Sequence, residues 1–87
     1  MHYVYVLKNE KEEIYVGQSK DIKERVRQHN AGTNKSTTNQ QWTLVYYEAY
    51  RSRDDALIRE KRLKQHGQAK RQLKERIKSS LNPSEQN

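Results

Sequence analysis

The sequence predicts an α+β domain, in which a small three-stranded antiparallel sheet is flanked by three helices in the order β-β-α-β-α-α. Two short runs of β-branched and aromatic residues near the start predict a hairpin, and a third such run covers residues 42–50. Residues with helical spacing precede and follow that third run. The 87 residues suffice for one domain, which we place at residues 1–80, with residues 81–87 as a frayed tail.

The predicted hairpin pairs residues 3–7 with residues 14–16 across a polar turn at residues 9–12. Alternation along a strand places Tyr3, Tyr5 and Leu7 on one face and Val4 and Val6 on the other. Both faces are apolar or aromatic, so we expect this strand to be covered on both sides. Gly17 follows the second run, which indicates either a turn or the close approach of another group.

The first helix is predicted over residues 22–30. Asp21 can accept a hydrogen bond as its N-cap, and Glu24 three residues later resembles a capping box. The Ala31-Gly32 pair ends it. Three residues that share one face of this helix are Ile22, Val26 and His29.

A polar segment without a large apolar residue covers residues 33–41. It is either a mobile binding loop or a plain connection. The third strand, over residues 42–50, is expected to be the longest of the three.

Two further helices are predicted over residues 55–65 and 69–80, with a break at residues 66–68. Ser52 or Asp54 is expected to cap the earlier helix. The apolar stripe of that helix contains Ala56, Leu57, Glu60 and Leu63, and the seam of the last helix contains Leu73 and Ile77.

The charge and composition exclude several kinds of protein. The formal net charge is +7, of which residues 51–87 carry +6. That asymmetry indicates a basic face for a polyanion, or else a solvated helical surface. The absence of cysteine excludes disulfides, a thiolate nucleophile and cysteine-ligated zinc. No apolar run approaches the roughly 20 residues of a membrane span. We therefore expect a cytoplasmic protein without membrane contact.

Glu60 places a carboxylate within the apolar stripe of a helix that must pack on the sheet. A lone buried charge is costly, so this group should be paired, protonated or bound to a metal. The alternative is a glutamate at the edge of the stripe, paired with a nearby lysine or arginine.

Two other pairs of residues could also carry chemistry. Arg25 and His29 lie one helical turn apart and could contact a phosphate and transfer a proton. Alternatively, Arg25 spreads its stem over the sheet and His29 caps the helix end. Tyr5 and Tyr15 lie on neighbouring strands, so their hydroxyls either converge on a site or belong to two ordinary core tyrosines.

The order of these residues resembles the GIY-YIG nuclease superfamily, in its small stand-alone bacterial branch. The resemblance covers roughly residues 2–78. It rests on Tyr3-Val4-Tyr5, Tyr15-Val16-Gly17 about ten residues later, and residues 21–30, 42–48 and 56–64. Tyr3 replaces the glycine of the first triplet, and the late asparagine of the family has no clear counterpart, since Asn39 lies in the loop and Asn82 outside the core pattern.

The resemblance implies a nuclease that cleaves phosphodiester bonds with a divalent metal, Mg²⁺ or Mn²⁺. It assigns the metal-binding carboxylate to Glu60 and the phosphate contact to Arg25. One of Tyr5 and Tyr15 would deprotonate or position the attacking water, and His29 matches the histidine one turn after the arginine. Gly17 matches the glycine that closes the second motif.

Three functions follow as hypotheses. The first is a metal-dependent endonuclease of low sequence specificity, acting on DNA rather than RNA, including structured or damaged DNA as in excision repair. The second is a nuclease fold that binds nucleic acid without cutting it, and the third is a domain for an acidic protein partner. We expect a monomer or weak dimer, which a protein partner could target. The residues expected to contact nucleic acid are Arg25, Lys61, Lys64, Lys70 and Lys74.

Overall fold

The central strand of the sheet is the first in the chain. In the computed structural model, which describes residues 1–32 and 41–82, the strands are β1 (His2–Asn9), β2 (Ile14–Ser19) and β3 (Trp42–Tyr50). They form an antiparallel sheet in the order β2-β1-β3. The helices are α1 (Ile22–Asn30), α2 (Arg53–Gln65), α3 (Gly67–Arg76) and α4 (Lys78–Leu81). This arrangement confirms the predicted α+β class and element order.

Helices cover both faces of β1, as its sequence predicts. Val4 and Val6 are buried in one core, which also contains residues of α2 and α3 such as Leu63 and Leu73. Tyr5 and Leu7 are buried in a second core on the opposite face, against α1. The alternation of side chains therefore divides the molecule into an α1 face and an α2–α3 face. No helix in the described part of the chain is long and apolar enough to cross a membrane.

An irregularity in the pairing of β1 with β3 changes which residues share a face. Val6 pairs with Tyr46, whereas Leu7 pairs with Leu44, so Val45 is an extra residue. Such a bulge reverses the alternation of side chains beyond it. As a result Val45 and Tyr46 both pack on the α2–α3 core, whereas Leu44 packs on the α1 core.

Helix α1 has the predicted bounds and cap. The Asp21 side chain accepts a hydrogen bond from the backbone N–H of Glu24 at 3.0 Å. Ala31 is the C-cap, and Gly32 has a φ of 77°, the left-handed conformation that glycine adopts most readily. The polar loop predicted after it lies almost wholly outside the described residues.

The other element boundaries differ in part from the predicted ones. Strand β2 continues through Gly17 to Ser19 because it remains paired with β1. Helix α2 begins two residues early, at Arg53, and Ser52 occupies the N-cap position without a side-chain hydrogen bond.

The predicted third helix is divided at Ile77. This residue leaves the helical conformation while its side chain stays buried in the core. The chain then continues as α4, whose last residue Leu81 packs on the same core and accepts a hydrogen bond from Lys8 Nζ at 2.5 Å. The prediction of one continuous helix over residues 69–80 was therefore wrong, because these contacts hold the last turn against the sheet.

The ring of Tyr5 lies directly across Gly17, its partner on β2. A Cβ built on Gly17 would overlap the Tyr5 ring and hydroxyl. Gly17 is thus required for close approach, one of the two possibilities that the sequence left open. The absence of a side chain there allows Tyr5 to extend over β2 toward the edge of the sheet.

A polar network within the α2–α3 face joins β3 to α2. The Glu48 carboxylate accepts two hydrogen bonds from the Arg59 guanidinium, at 2.9 and 3.0 Å. The hydroxyls of Tyr46 and Tyr50 donate to the same carboxylate at 2.6 and 2.5 Å. Although burial acts in the opposite direction, these donors hold the pKa of Glu48 below its usual range, and burial with the hydrogen bond to Glu48 raises the pKa of Tyr50 to about 12.

The close packing at Gly17 gives a first prediction. Gly17→Ala should destabilise the fold by about 1–3 kcal/mol, since the methyl group forces Tyr5 out of its position. Urea unfolding measures the change. Gly67→Ala is the matched control, because a Cβ there meets no atom within 4 Å. Equal stability changes in the two variants would contradict the packing described here.

The Glu48 network gives a second prediction. Glu48→Gln should lower the free energy of unfolding at pH 7 by about 2 kcal/mol, because charged hydrogen bonds are lost from a largely buried site. The pKa of Glu48 is lower in the folded state than in the unfolded state, where it is about 4.3. The stabilisation by the Glu48 charge is therefore present above the unfolded pKa and is lost as pH falls through the folded pKa.

The difference between wild type and Glu48→Gln should therefore shrink below about pH 4. Denaturant unfolding at a series of pH values measures it, with the exposed Glu75→Gln as control. A difference that stays constant down to pH 3 would show that the Glu48 charge does not contribute.

Candidate active site

The aromatic side chains singled out in the sequence meet on the α1 face. The Tyr5 hydroxyl and His29 Nε2 share a hydrogen bond at 3.0 Å. The ring of Tyr15 contacts the His29 ring with centroids 4.7 Å apart and lies 6.4 Å from the ring of Tyr5. Strands β1 and β2 and helix α1 thus bring these three residues together at the β2 edge of the sheet.

Arg25 lies one turn before His29 and belongs to the same cluster. Burial raises the pKa of the Tyr5 hydroxyl, and the nearby Arg25 guanidinium opposes that effect. It also donates from Nη1 to Gln28 Oε1 at 3.0 Å. The side chain is half-buried, so its donors border the cluster and are not enclosed by the core.

Glu60 reaches the cluster from α2. Its side chain is 21% exposed, and its negative charge adds to the effect of burial in raising the pKa of Tyr5. Lys64 Nζ pairs with Glu60 Oε2 at 3.2 Å and lies 5.5 Å from the centroid of the Tyr15 ring. Tyr15 is on the α1 face, whereas α2 packs on the other face, so these side chains extend around the edge of the sheet at β2.

The Glu60 carboxylate is paired with a neighbouring lysine, as the second interpretation drawn from the sequence predicts. The same lysine lies over the ring of Tyr15, so the ion pair also borders the tyrosines. Tyr5 and His29 are buried core residues, at 0% and 1% exposure, that nevertheless form part of the cluster.

Burial keeps the Tyr5–His29 pair uncharged near neutral pH. It raises the pKa of the Tyr5 hydroxyl, and it lowers the pKa of His29, which the positive charge of Arg25 lowers further. A neutral imidazole can accept a proton, and a protonated phenol can donate one. The two groups can therefore share a hydrogen bond that orients the His29 ring, whereas transfer of the proton would leave a phenolate and an imidazolium in the core.

Trp42 supplies a further ring, which as the first residue of β3 gave no sign of a functional role in the sequence. Its ring lies 6.1 Å from that of Tyr15 and is 7% exposed. Asn30 fixes its backbone, since Asn30 Oδ1 accepts from the Trp42 N–H at 2.6 Å and Asn30 Nδ2 donates to the Trp42 carbonyl at 3.1 Å. These bonds join the end of α1 to the start of β3, so the ring that supports Tyr15 is positioned by the backbone.

The lysines expected to contact nucleic acid are not gathered on one surface. Lys64 alone among them has a contact with the site, through Glu60 and Tyr15. Lys74 borders a small depression with Ile14, on the opposite face of β2, and Asn82 lines the same depression. Lys61 is exposed on α2, and Lys70 is half-buried on α3. Asn82 is thus not brought to the Tyr5 cluster, and Asn39 lies outside the described residues.

The described residues contain no group of three histidine, aspartate or glutamate side chains placed to hold a metal ion. Glu60 is the carboxylate of the cluster. One carboxylate, with water and a substrate phosphate, fits the sparse coordination that Mg²⁺ accepts in phosphate-processing sites. The donor set therefore suits a hard divalent ion that binds together with substrate.

Comparison with known proteins decides the family. The model of the GIY-YIG catalytic domain matches residues 1–81. The chain belongs to the GIY-YIG nuclease family. This result confirms the resemblance inferred from the tyrosine triplets and the helices that follow them.

Similar proteins of the same size occur in an archaeon and a bacterium. A UPF0213 protein from Haloquadratum walsbyi is 37% identical over 73 residues, which cover 82% of each chain. A UPF0213 protein from Staphylococcus aureus is 37% identical over 79 residues, which cover 86% of this chain and 96% of the relative. No solved structure gives a significant match. This GIY-YIG domain and these relatives thus match over most of their lengths.

The state of His29 gives a third prediction. The pKa of His29 should lie below the usual histidine value of about 6.5, because burial and the Arg25 charge both disfavour the imidazolium. NMR titration of the imidazole nitrogens measures it. Arg25→Ala should raise the pKa of His29 toward the usual value, whereas Arg27→Ala on the exposed side of α1 should leave it unchanged. A wild-type pKa above 7 would contradict the neutral pair.

Proposed function

We propose that this domain is a divalent-metal-dependent endonuclease that hydrolyses phosphodiester bonds in DNA, including structured or damaged DNA, with low sequence specificity. The observation that carries the proposal is the meeting of Tyr5, Tyr15, Arg25, His29 and Glu60 at one edge of the sheet. The net charge of +7 supports a polyanionic substrate.

The accessibility of the two tyrosines supports different roles for them. Tyr5 is wholly buried, so its hydroxyl serves to position His29 and Tyr15. Tyr15 is half-buried at the edge strand and is the phenol that can meet a water molecule. We assign the positioning and deprotonation of the attacking water to Tyr15, whose ring packs against that of His29.

Arg25 and Glu60 border the position where a phosphate would lie. A guanidinium offers several fixed donors, so Arg25 can stabilise the charge that develops on the phosphate oxygens. Glu60 would hold Mg²⁺ or Mn²⁺, which when bound supplies charge stabilisation and assists the leaving oxygen. Lys64, now paired with Glu60 at 3.2 Å, is near enough to contact the same phosphate or its neighbour.

The alternative function is a non-catalytic module that binds nucleic acid through the same fold. The Glu60–Lys64 pair favours it, because a lysine that neutralises the carboxylate competes with a metal ion. In either case we propose DNA in preference to RNA, and a cytoplasmic protein that acts as a monomer or weak dimer with a partner for targeting. A chain without cysteine is suited to that compartment.

The proposed function gives a fourth prediction. With Mg²⁺ or Mn²⁺, wild type should nick supercoiled plasmid, and Glu60→Gln and Arg25→Ala should each reduce the rate by at least about a hundredfold, since each removes charge stabilisation of the transition state. Gel separation of supercoiled and open-circular plasmid measures the rate. Chelation of the metal should abolish the reaction.

Glu75→Gln is the matched control, because it removes an exposed carboxylate from α3 and should leave nicking unchanged. Thermal unfolding of each variant verifies that the fold is retained. Plasmid binding without nicking by wild type would favour the binding module. Equal nicking by wild type and Glu60→Gln would contradict the assigned carboxylate.

A further inference from the structure

We call Tyr5, Tyr15, Arg25, His29 and Glu60 the catalytic cluster. A second aromatic surface lies on the other side of α1 from it. It is a shallow depression of about 560 Å³ between α1 and the sheet, and we call it the Tyr47 surface. Its apolar floor is formed by Tyr3, Ile22, Val26, Leu44 and Tyr47. The catalytic cluster borders β2, whereas this surface borders β3, so the two sites flank the same helix on the same face of the sheet.

The ring of Tyr47 is exposed and held in place. Tyr47 is 55% exposed, although it is a large aromatic residue in the middle of a strand. The rings of Tyr3 and Tyr47 pack edge to face, with their centroids 5.9 Å apart and their planes at 71°. Because β3 is an edge strand, its open side is free of a further strand among the described residues. A fixed, exposed aromatic face can stack with a nucleobase.

The rim of the Tyr47 surface carries unpaired positive charge. Lys20 and Lys23 border it, and neither forms an ion pair in the part of the chain that the structure describes. Asp21 also borders it, but its carboxylate accepts a hydrogen bond from the N–H of Glu24 as the cap of α1. Two free ammonium groups beside an aromatic platform complement a chain of bases and phosphates.

We propose that the Tyr47 surface binds unpaired nucleotides of a single-stranded nucleic acid, with a base on Tyr47 and the adjoining phosphates at Lys20 and Lys23. The inference rests on the proposed function, and it specifies the class of substrate. Tyr47 is paired with Tyr5 across β3 and β1, so this surface and the catalytic cluster are adjacent on one face of the sheet. A substrate with an unpaired strand beside the cleaved bond can therefore occupy both sites at once.

Stacking on a single ring gives a fifth prediction. In fluorescence anisotropy with labelled (dT)₁₂, Tyr47→Ala should weaken binding by about tenfold or more, whereas Tyr47→Phe should bind within twofold of wild type because it retains the ring. All proteins carry Glu60→Gln so that no probe is cleaved. A labelled blunt-ended DNA duplex, which has no unpaired nucleotides, is the second probe, and its affinity should change little in Tyr47→Ala.

The controls separate a ring effect from loss of charge or fold. Ile58→Ala removes another exposed apolar residue, 52% exposed on α2, and should leave (dT)₁₂ binding unchanged. Lys20→Ala with Lys23→Ala should lower the slope of log K against log salt for (dT)₁₂ by about 1 or more. Thermal unfolding shows whether Tyr47→Ala and Tyr47→Phe fold equally well.

The remaining outcomes distinguish failure of this inference from failure of the proposed function. Equal (dT)₁₂ affinity in Tyr47→Ala and wild type, with duplex binding intact, would overturn this inference and leave the proposed function standing. Binding of neither probe by wild type would overturn both. Sedimentation tests self-association, and a dimer that dissociates in Tyr47→Ala without loss of (dT)₁₂ affinity would assign the surface to a second copy of the chain and overturn the inference.

Discussion

The contact between the Tyr5 ring and the bare backbone of Gly17 is the constraint on which the site depends. It lets a tyrosine from the central strand cross the edge strand and reach His29 Nε2 at 3.0 Å. That bond sets the position of α1 over the sheet, because His29 is on the last turn of this helix. Tyr15 then packs against the same imidazole. Removing the space over Gly17 would disturb each of these contacts in turn.

Burial at this contact also decides the chemistry that the cluster can perform. A phenol and an imidazole that both remain neutral can share a hydrogen bond that orients them, whereas their charged forms would require solvent that the core excludes. The charged members, Arg25 and Glu60, lie at the border of the cluster and not within it. The site therefore has a neutral interior and a polar rim, and only the rim can meet a phosphate.

Much of this arrangement could be predicted from the sequence, and the exceptions have physical reasons. The bounds of α1 follow from Asp21 and Gly32, and the five candidate residues follow from their order in the family pattern. The extra residue at Val45 could not be predicted, since a bulge has no strong sequence signal here. The break at Ile77 depends on contacts of Leu81 with a distant strand. Lys64 reaches Tyr15 only because α2 passes close to the β2 edge, which is a property of the tertiary structure.

Arg59 and Glu60 are consecutive residues of α2, yet they engage opposite edges of the sheet. Arg59 is bound to Glu48 on β3, whereas Glu60 is paired with Lys64, which lies over the ring of Tyr15 on β2. Successive residues of a helix point about 100° apart, so a helix held at both of these positions cannot rotate about its own axis without breaking one of them. The Glu48 network on β3 thereby prevents rotation of α2 and fixes the direction in which the Glu60 side chain points.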